Sequence, residues 1–434
     1  MNISILSVFP ELYHSFLQTS LVGKAQEQKI VSFDLAPLFS YALPKERIDA
    51  PTFGHGAGML LRPEIIQKAI EDKEAQHGPA FKIFFSPHGK KLNQYLLQEL
   101  AQKISEQKHI MLLPARYEGM DARVEQVYAD EILSIGDYVL MGGDLPAMVF
   151  IEGLLRLLPG VIGKTESVQN DSFSNYLVDF PHYTEPVVWN NITVPDVIRS
   201  GNHGAVDAWR KEQALHRTVL YHFDWLRTHK LDVEERVQVL QTIPAHYVLL
   251  LHSQVLIGEG RVEGTTSVTS IDIHDISRSS ATYGIKQFFI VTPLEDQQKI
   301  VKTLLDFWQT GVGLDYNKNR AMAVEATHLR ASLEEALAAI ELKEGKKPLV
   351  IATSARTIPG VSMLDYTDQG IAWAHQRPVV LVFGTGKGLA PSVIQRCDYL
   401  LGPINGLTRF NHLSVRSAVA VILDRWLSLN EKRA

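Results

Sequence analysis

At 434 residues the chain is too long for one ordinary domain, and two or three are expected. Hydrophobic residues at 45% and charged ones at 21% are the values of a soluble globular protein, and no window reaches the roughly 20 apolar residues of a membrane span. A formal charge of −5 leaves nucleic-acid binding to a local basic face, and the single Cys397 excludes a disulfide framework or a multi-cysteine metal site. The opening MNISILSVFPELY has no basic run before its apolar one, so no signal peptide is expected and a cytosolic setting is.

In chain order, Ile3 to Val8 reads as a strand, Pro10 starts a helix, and Lys29 to Leu35 reads as a second strand. Phe53 to Met59 is an exposed glycine-rich loop. Lys82 to Phe85 is a strand ending in Ser86-Pro-His-Gly89, followed by a helix from Leu92 to about Lys103. The stretch from Leu112 to Met148 organises the rest. His109 to Leu113 is a short apolar strand. Ala115 to Gly119 is a turn, and Asp121 caps a helix reaching Val127. Ile135 to Leu140 reads as another strand, and 141–144 as a glycine turn. Asp144 and Pro146 then open a helix to Leu158, as cap and early-turn residues. Tight turns at the ends of neighbouring strands present bare backbone groups, where open α/β sheets hold ligands.

From Ile162 to Asn175 no periodic apolar face remains, and the stretch reads as a mobile linker. Gly163-Lys164-Thr165 is not a phosphate loop, because position 158 is Leu where that motif needs Gly. Residues 178–242 read as a small helical domain with Arg210, Lys211, His216 and Arg217 on one helix, either a solvated face or an RNA surface. From His246 a second α/β unit begins, with strands at Tyr247–Leu251, Gln287–Val291, Leu349–Ile351, Val379–Phe383 and Cys397–Leu401, and a closing helix from His412 to Trp426.

The motifs SVFPELY (7–13), GHGAGML (54–60), SPHGKKL (86–92), ARYEGMDAR (115–123), SIGDYVLMGGDLPA (134–147), PGVIG (159–163), NDSF (170–173), DFPHYTEP (179–186) and SGNH (200–203) stand in a specific order and spacing. Through them the first 240 residues resemble the bacterial tRNA (guanine-N1)-methyltransferases of the trefoil-knotted SPOUT superfamily. The resemblance implies methyl transfer from S-adenosylmethionine to N1 of the tRNA guanosine 3′ to the anticodon. It implies Asp171 as general base, since N1 carries a proton at neutral pH and is a poor nucleophile until that proton leaves. It implies Arg156 as the residue stabilising charge on guanine O6. Three knot loops would hold the donor: Ser86, Pro87 and Gly89; Tyr117, Glu118 and Gly119; and Ile135, Gly136, Tyr138, Leu140, Gly142 and Gly143, with Pro146 behind them. Glu118 would also lie near a magnesium ion. The family works as a homodimer with shared active sites on the anticodon loop of tRNA. Ala115 replaces a usual glycine, and His55 and Ala57 alter the usual GGGPGM loop; both departures put specificity details in doubt more than activity.

The second half is similar to the SpoU/TrmH-like SPOUT group through IDIHDISRSSATYGIKQFFIV (271–291), VVLVFGTGKGLAP (379–391), LLGPI (400–404) and NHLSVRSAVAVIL (411–423). This implies donor contacts from Gly384, Gly386, Gly388, Leu401, Ile404, Leu413 and Ser414, and RNA contact from Arg278. Thr385 and Lys387 stand in a loop where that group carries a glutamate, which puts ribose 2′-O chemistry in doubt. A non-catalytic RNA-binding or dimerising module and a nucleotide-binding oxidoreductase remain open for this half. The expected fold class is α/β: a knotted methyltransferase domain (1–163), a linker (164–177), a helical tRNA-binding domain (178–242) and a second α/β-knot domain (243–434).

Overall fold

Five consecutive buried apolar residues follow His109 in His109–Pro114, which places this strand in the middle of a sheet covered on both faces. The computed structural model describes residues 1–162 and 171–429. It divides into two compact units, Met1–Asn175 and Tyr176–Ala434. The expected linker lies outside the described residues over 164–170.

The first unit is built on a five-stranded parallel sheet in the order Ser32–Pro37, Asn2–Ser7, His109–Pro114, Phe81–Lys91, Glu131–Ser134. Side chains alternate between faces with period two. Ile110 and Leu112 enter one core with the helices Gln94–Ser105 and Asp144–Leu157, while Met111 and Leu113 enter the other with Pro63–His77. Asn93 caps Gln94–Ser105 through a bond from Leu96 N–H, and Asp121 caps Ala122–Tyr128 through Arg123 N–H.

Two local expectations are corrected. The strand expected at 135–140 is instead Glu131–Ser134; beyond it the chain leaves the sheet, and Val139 and Met141 stand 92% and 90% exposed. Apolar composition there is not a core signal. Asp144 does not cap its helix: Gly143 holds that position without a side-chain bond, and the Asp144 carboxylate turns into the interior.

The second unit has a seven-stranded parallel sheet in the order Thr327–Arg330, Gln287–Val291, His246–Leu251, Val379–Gly384, Leu349–Thr353, Tyr399–Leu401, Met363–Leu364. The two outermost strands were not expected from the sequence; Met363–Leu364 has only two residues, too few for a pattern. Helices of the 176–242 segment share this unit's core. Leu215, Val219, Phe223 and Leu226 join Trp373 and Trp426 in one apolar cluster, and Phe223 meets Trp373 edge-on at 4.9 Å.

Candidate functional site

In the first unit, three loops leave the carboxyl ends of three neighbouring strands. Within Phe81–Lys91 the pairing register with Glu131–Ser134 shifts between Phe85 and Lys90, so Ser86–Gly89 bulges out of the ladder. Gly89 needs to be glycine: a Cβ there would lie 2.7 Å from Ile132 backbone atoms. After His109–Pro114 the turn reverses at Tyr117, whose φ of +60° is uncommon for an aromatic residue. The third loop returns past it: Arg116 bridges Gly142, and Gly143 N–H donates to Ala115 C=O at 2.7 Å. A Cβ on Gly143 would stand 2.8 Å from Ala115 N and Pro114 Cα. Backbones packed this closely present amides and carbonyls, with the Glu118 and Asp137 carboxylates exposed on the same loops. That suits a cationic sulfonium donor. The residues expected to hold the donor therefore fall on three adjacent loops, with Pro146 buried at the start of the helix Asp144–Leu157.

A buried cluster pins these loops. Asp144, 1% exposed, accepts from Ser7 Oγ at 2.7 Å and Tyr13 OH at 3.0 Å, and pairs with Arg116 Nε at 2.7 Å. Burial, with the Asp144 charge beside it, pushes the Tyr13 hydroxyl far above its ordinary pKa, so it stays a donor. Arg116 also lies 4.9 Å over the Phe9 ring. Ser7, Tyr13, Arg116 and Asp144 each sit inside a quoted motif, yet the sequence reading assigned none of them this role.

At the other end of Asp144–Leu157, Arg156 grips Asp171 with two bonds, Nε to Oδ2 at 2.6 Å and Nη2 to Oδ1 at 2.7 Å. The bond to Asp171 holds the Arg156 guanidinium above its ordinary pKa. Both side chains remain partly solvent-accessible, 44% and 28%. Glu118 lies under the 54–58 loop, where its side chain packs against Gly58. Among the described residues no three His, Cys, Asp or Glu side chains are grouped to hold a metal ion. Glu118 is a lone carboxylate, which would hold magnesium only with water completing the metal's shell.

The second unit repeats the arrangement. Loops leaving the adjacent strands Val379–Gly384, Leu349–Thr353 and Tyr399–Leu401 enclose a cavity of about 970 Å³. Gly384, Gly386, Gly388, Ile404, Leu413 and Ser414, the residues expected to contact the donor, line it. Leu401 does not; it is 1% exposed in the core cluster. Gly386 has φ +62°, and a Cβ would come 2.7 Å from Leu256 O. Thr385, in the glutamate's place, donates to Leu251 C=O at 3.0 Å and meets Thr266 Oγ1 at 2.5 Å, with His252 Nδ1 3.2 Å beyond. Burial lowers His252 to about 4, so that imidazole is neutral.

A family model described as tRNA (Guanine-1)-methyltransferase TrmD matches residues 1–228, more than half of the chain. The chain belongs to the TrmD family. A second model, described as SAM-dependent RNA methyltransferase, matches residues 245–428. A tRNA (guanine-N(1)-)-methyltransferase of Nitratidesulfovibrio vulgaris is 39% identical, over 98% of this chain and 99% of that protein. One from Oleidesulfovibrio alaskensis is 36% identical over 98% and 99%. A crystal structure titled tRNA (m1G37) methyltransferase, from Aquifex aeolicus, is 31% identical with a TM-score of 0.41, covering 48% of this chain and 87% of that one. Two TrmD relatives are thus similar along both halves of this chain.

The basic residues of this TrmD-family chain are not all brought together. Arg210 and Arg217 share a face of the helix His203–Tyr221: Arg210 lies over the Phe180 ring at 4.9 Å, and Arg217 donates to Asp179 C=O at 3.4 Å. Lys211 is exposed one step round. His216 points elsewhere, its Nε2 3.3 Å from Gln376 Nε2. Arg278 is exposed on Ser270–Thr282 and does not line the cavity; Arg416 does, and pairs with Asp272 at 3.3 Å. Neither Arg416 nor the exposed Arg356 and Arg409 of the cavity were singled out by the sequence reading.

Proposed function

We propose that this chain methylates N1 of the tRNA guanosine 3′ to the anticodon with S-adenosylmethionine, and that its second unit is another RNA methyltransferase using the same donor. The observation that carries the reading is the trio of backbone-lined loops at adjacent strand ends, present in each unit, in a chain whose full-length relatives are named tRNA (guanine-N(1)-)-methyltransferases. Donor contacts come from 86–89, 117–119 and 135–143, threaded as a trefoil knot.

Asp171 takes the N1 proton of guanine. The freed N1 lone pair attacks the methyl carbon, the carbon–sulfur bond breaks, and its electrons return to sulfur as a neutral thioether. Arg156, paired with Asp171 before substrate arrives, moves to O6 as charge develops there. A carboxylate released from an arginine is a stronger base than a paired one.

The working form is a homodimer with shared sites. Asp144 and Arg156 are twelve residues apart on one helix, about 18 Å along its axis at 1.5 Å per residue. Asp171, bonded to Arg156, is therefore remote from its own donor loops and suited to those of a partner. Val139, Met141, Leu145 and Val149, 92%, 90%, 58% and 50% exposed, give the partner an apolar surface beside those loops. Arg210, Lys211 and Arg217 carry the tRNA. Among the described residues no helix is long and apolar enough to cross a membrane, and a tRNA substrate sites the work in the cytoplasm.

Replacing Asp171 by Asn tests this. Single-turnover methylation is expected to fall by about 10²–10⁴-fold while donor affinity is unchanged; undiminished turnover would reject Asp171 as the base.

A further inference from the structure

The second unit's cavity opens between a glycine loop and a longer segment, 402–414. That segment runs Gly-Pro-Ile-Asn-Gly-Leu-Thr-Arg-Phe-Asn-His-Leu-Ser without helix or strand. It is tied down at both ends: Tyr366 OH donates to Gly402 C=O at 3.0 Å, and Asn411 Nδ2 to Ala355 C=O at 3.1 Å. Between these ties Phe410 stands 76% exposed, with His412 edge-on at 5.5 Å. An aromatic side chain this open makes no contribution to the core, and it stands between Arg409 and Asn411, both of which line the cavity.

Around it are exposed cations. Arg261, Arg356, Lys387 and Arg409 line the same cavity, and none has a carboxylate partner among the described residues. They gather at the mouth of one cavity in a chain of formal charge −5. At about 970 Å³ the cavity is near the upper end of the roughly 300–1,000 Å³ of small-molecule sites, which leaves space beside a nucleoside-sized donor.

We propose that 402–414 is an acceptor platform: Phe410 stacks a base splayed from a single RNA strand, while Arg261, Arg356, Lys387 and Arg409 hold the flanking phosphates. The inference rests on the reading of this unit as an RNA methyltransferase and adds the substrate's form. A base locked in an A-form duplex cannot reach a recessed donor, whereas an unpaired one enters and offers a face to an aromatic ring. Base–aromatic stacking and phosphate pairing together are the means by which single strands are held.

Hydrogen–deuterium exchange on the full chain localises the effect, whatever RNA the first unit binds. The probes are a single-stranded RNA oligonucleotide, the same sequence in a perfect duplex, and S-adenosylmethionine alone. The single strand is expected to slow exchange at 402–414 and 384–389, and the duplex is not. Phe410→Ala is expected to weaken that protection by about 5- to 150-fold in RNA concentration, with Phe410→Tyr restoring it. Lys387→Ala is expected to lower the salt dependence by about 0.7 in log–log slope. Equal protection by duplex, no protection at 402–414, or an unchanged titration in Phe410→Ala would each overturn the platform. Donor protection at 353–358 and 384–389 reports on the methyltransferase reading separately. If the donor fails to bind there while the single strand does, the methyltransferase reading falls and 402–414 is a single-strand RNA site without methyl transfer.

Discussion

Asp144 ties three parts of the first unit together. Its carboxylate joins the strand Asn2–Ser7, through Ser7, to the 115–119 turn, through Arg116, and to Tyr13. Removing one member of a buried ion pair leaves the other uncompensated, typically at about 3–5 kcal/mol. Asp144→Asn is expected to lower the unit's stability by that amount in urea denaturation and to weaken donor binding with it; a loss below about 1 kcal/mol would refute the role. His246 makes a different commitment in the second unit. Its Nε2 accepts from both Trp373 Nε1 at 3.2 Å and Trp426 Nε1 at 3.1 Å, and its Nδ1–H donates to Pro244 C=O at 2.7 Å. Burial lowers its pKa from 6.5 to about 4. Because the folded pKa is the lower one, the unfolded state takes the proton first. Stability is whole above pH 6.5 and is lost as pH falls toward 4, by about 3 kcal/mol in all. Guanidinium unfolding followed by tryptophan fluorescence is expected to give this fall in the wild type and a smaller one in His246→Gln. Equal falls would contradict it.

The three loops expected to hold the donor are set by close backbone approach at the level of the element. Gly143→Ala puts a Cβ 2.8 Å from Ala115 N and Pro114 Cα, so the third loop must retreat from the second. Donor affinity in calorimetry is expected to fall at least tenfold with the fold retained, and an unchanged affinity would mean the loops do not hold the donor. Much of this was legible in the sequence, because strand ends followed by glycine turns have a distinct pattern. The core strands stand where the apolar runs are, and Asp121 caps the helix Ala122–Tyr128 as expected. The failures have physical causes. The run at 135–140 has strand-like composition because its apolar side chains face outward. Asp144 has a cap's position but a stronger partner in Arg116. Leu401 sits within a donor motif yet points into the sheet's core, since residues alternate faces along Tyr399–Leu401. Arg356 and Arg409 lie 53 residues apart in sequence, 409 minus 356, and only the fold brings both to one cavity.

At the scale of the whole molecule, the chain has two compact units, each built on a parallel sheet and each matched by a methyltransferase family model. The helical segment after 176 shares an apolar core with the second sheet, so the basic face of His203–Tyr221 and the second cavity belong to one compact unit. The chain's activity is the placing of a methyl group on N1 of a tRNA guanosine. The direct measurement is methyl transfer from labelled S-adenosylmethionine by the full chain to two tRNA transcripts, identical except for guanosine or adenosine on the 3′ side of the anticodon, with nucleosides identified by mass spectrometry. The expected result is 1-methylguanosine from the guanosine transcript alone, with any second product unaffected by the exchange. Absence of 1-methylguanosine from both transcripts, with the donor bound, would contradict it.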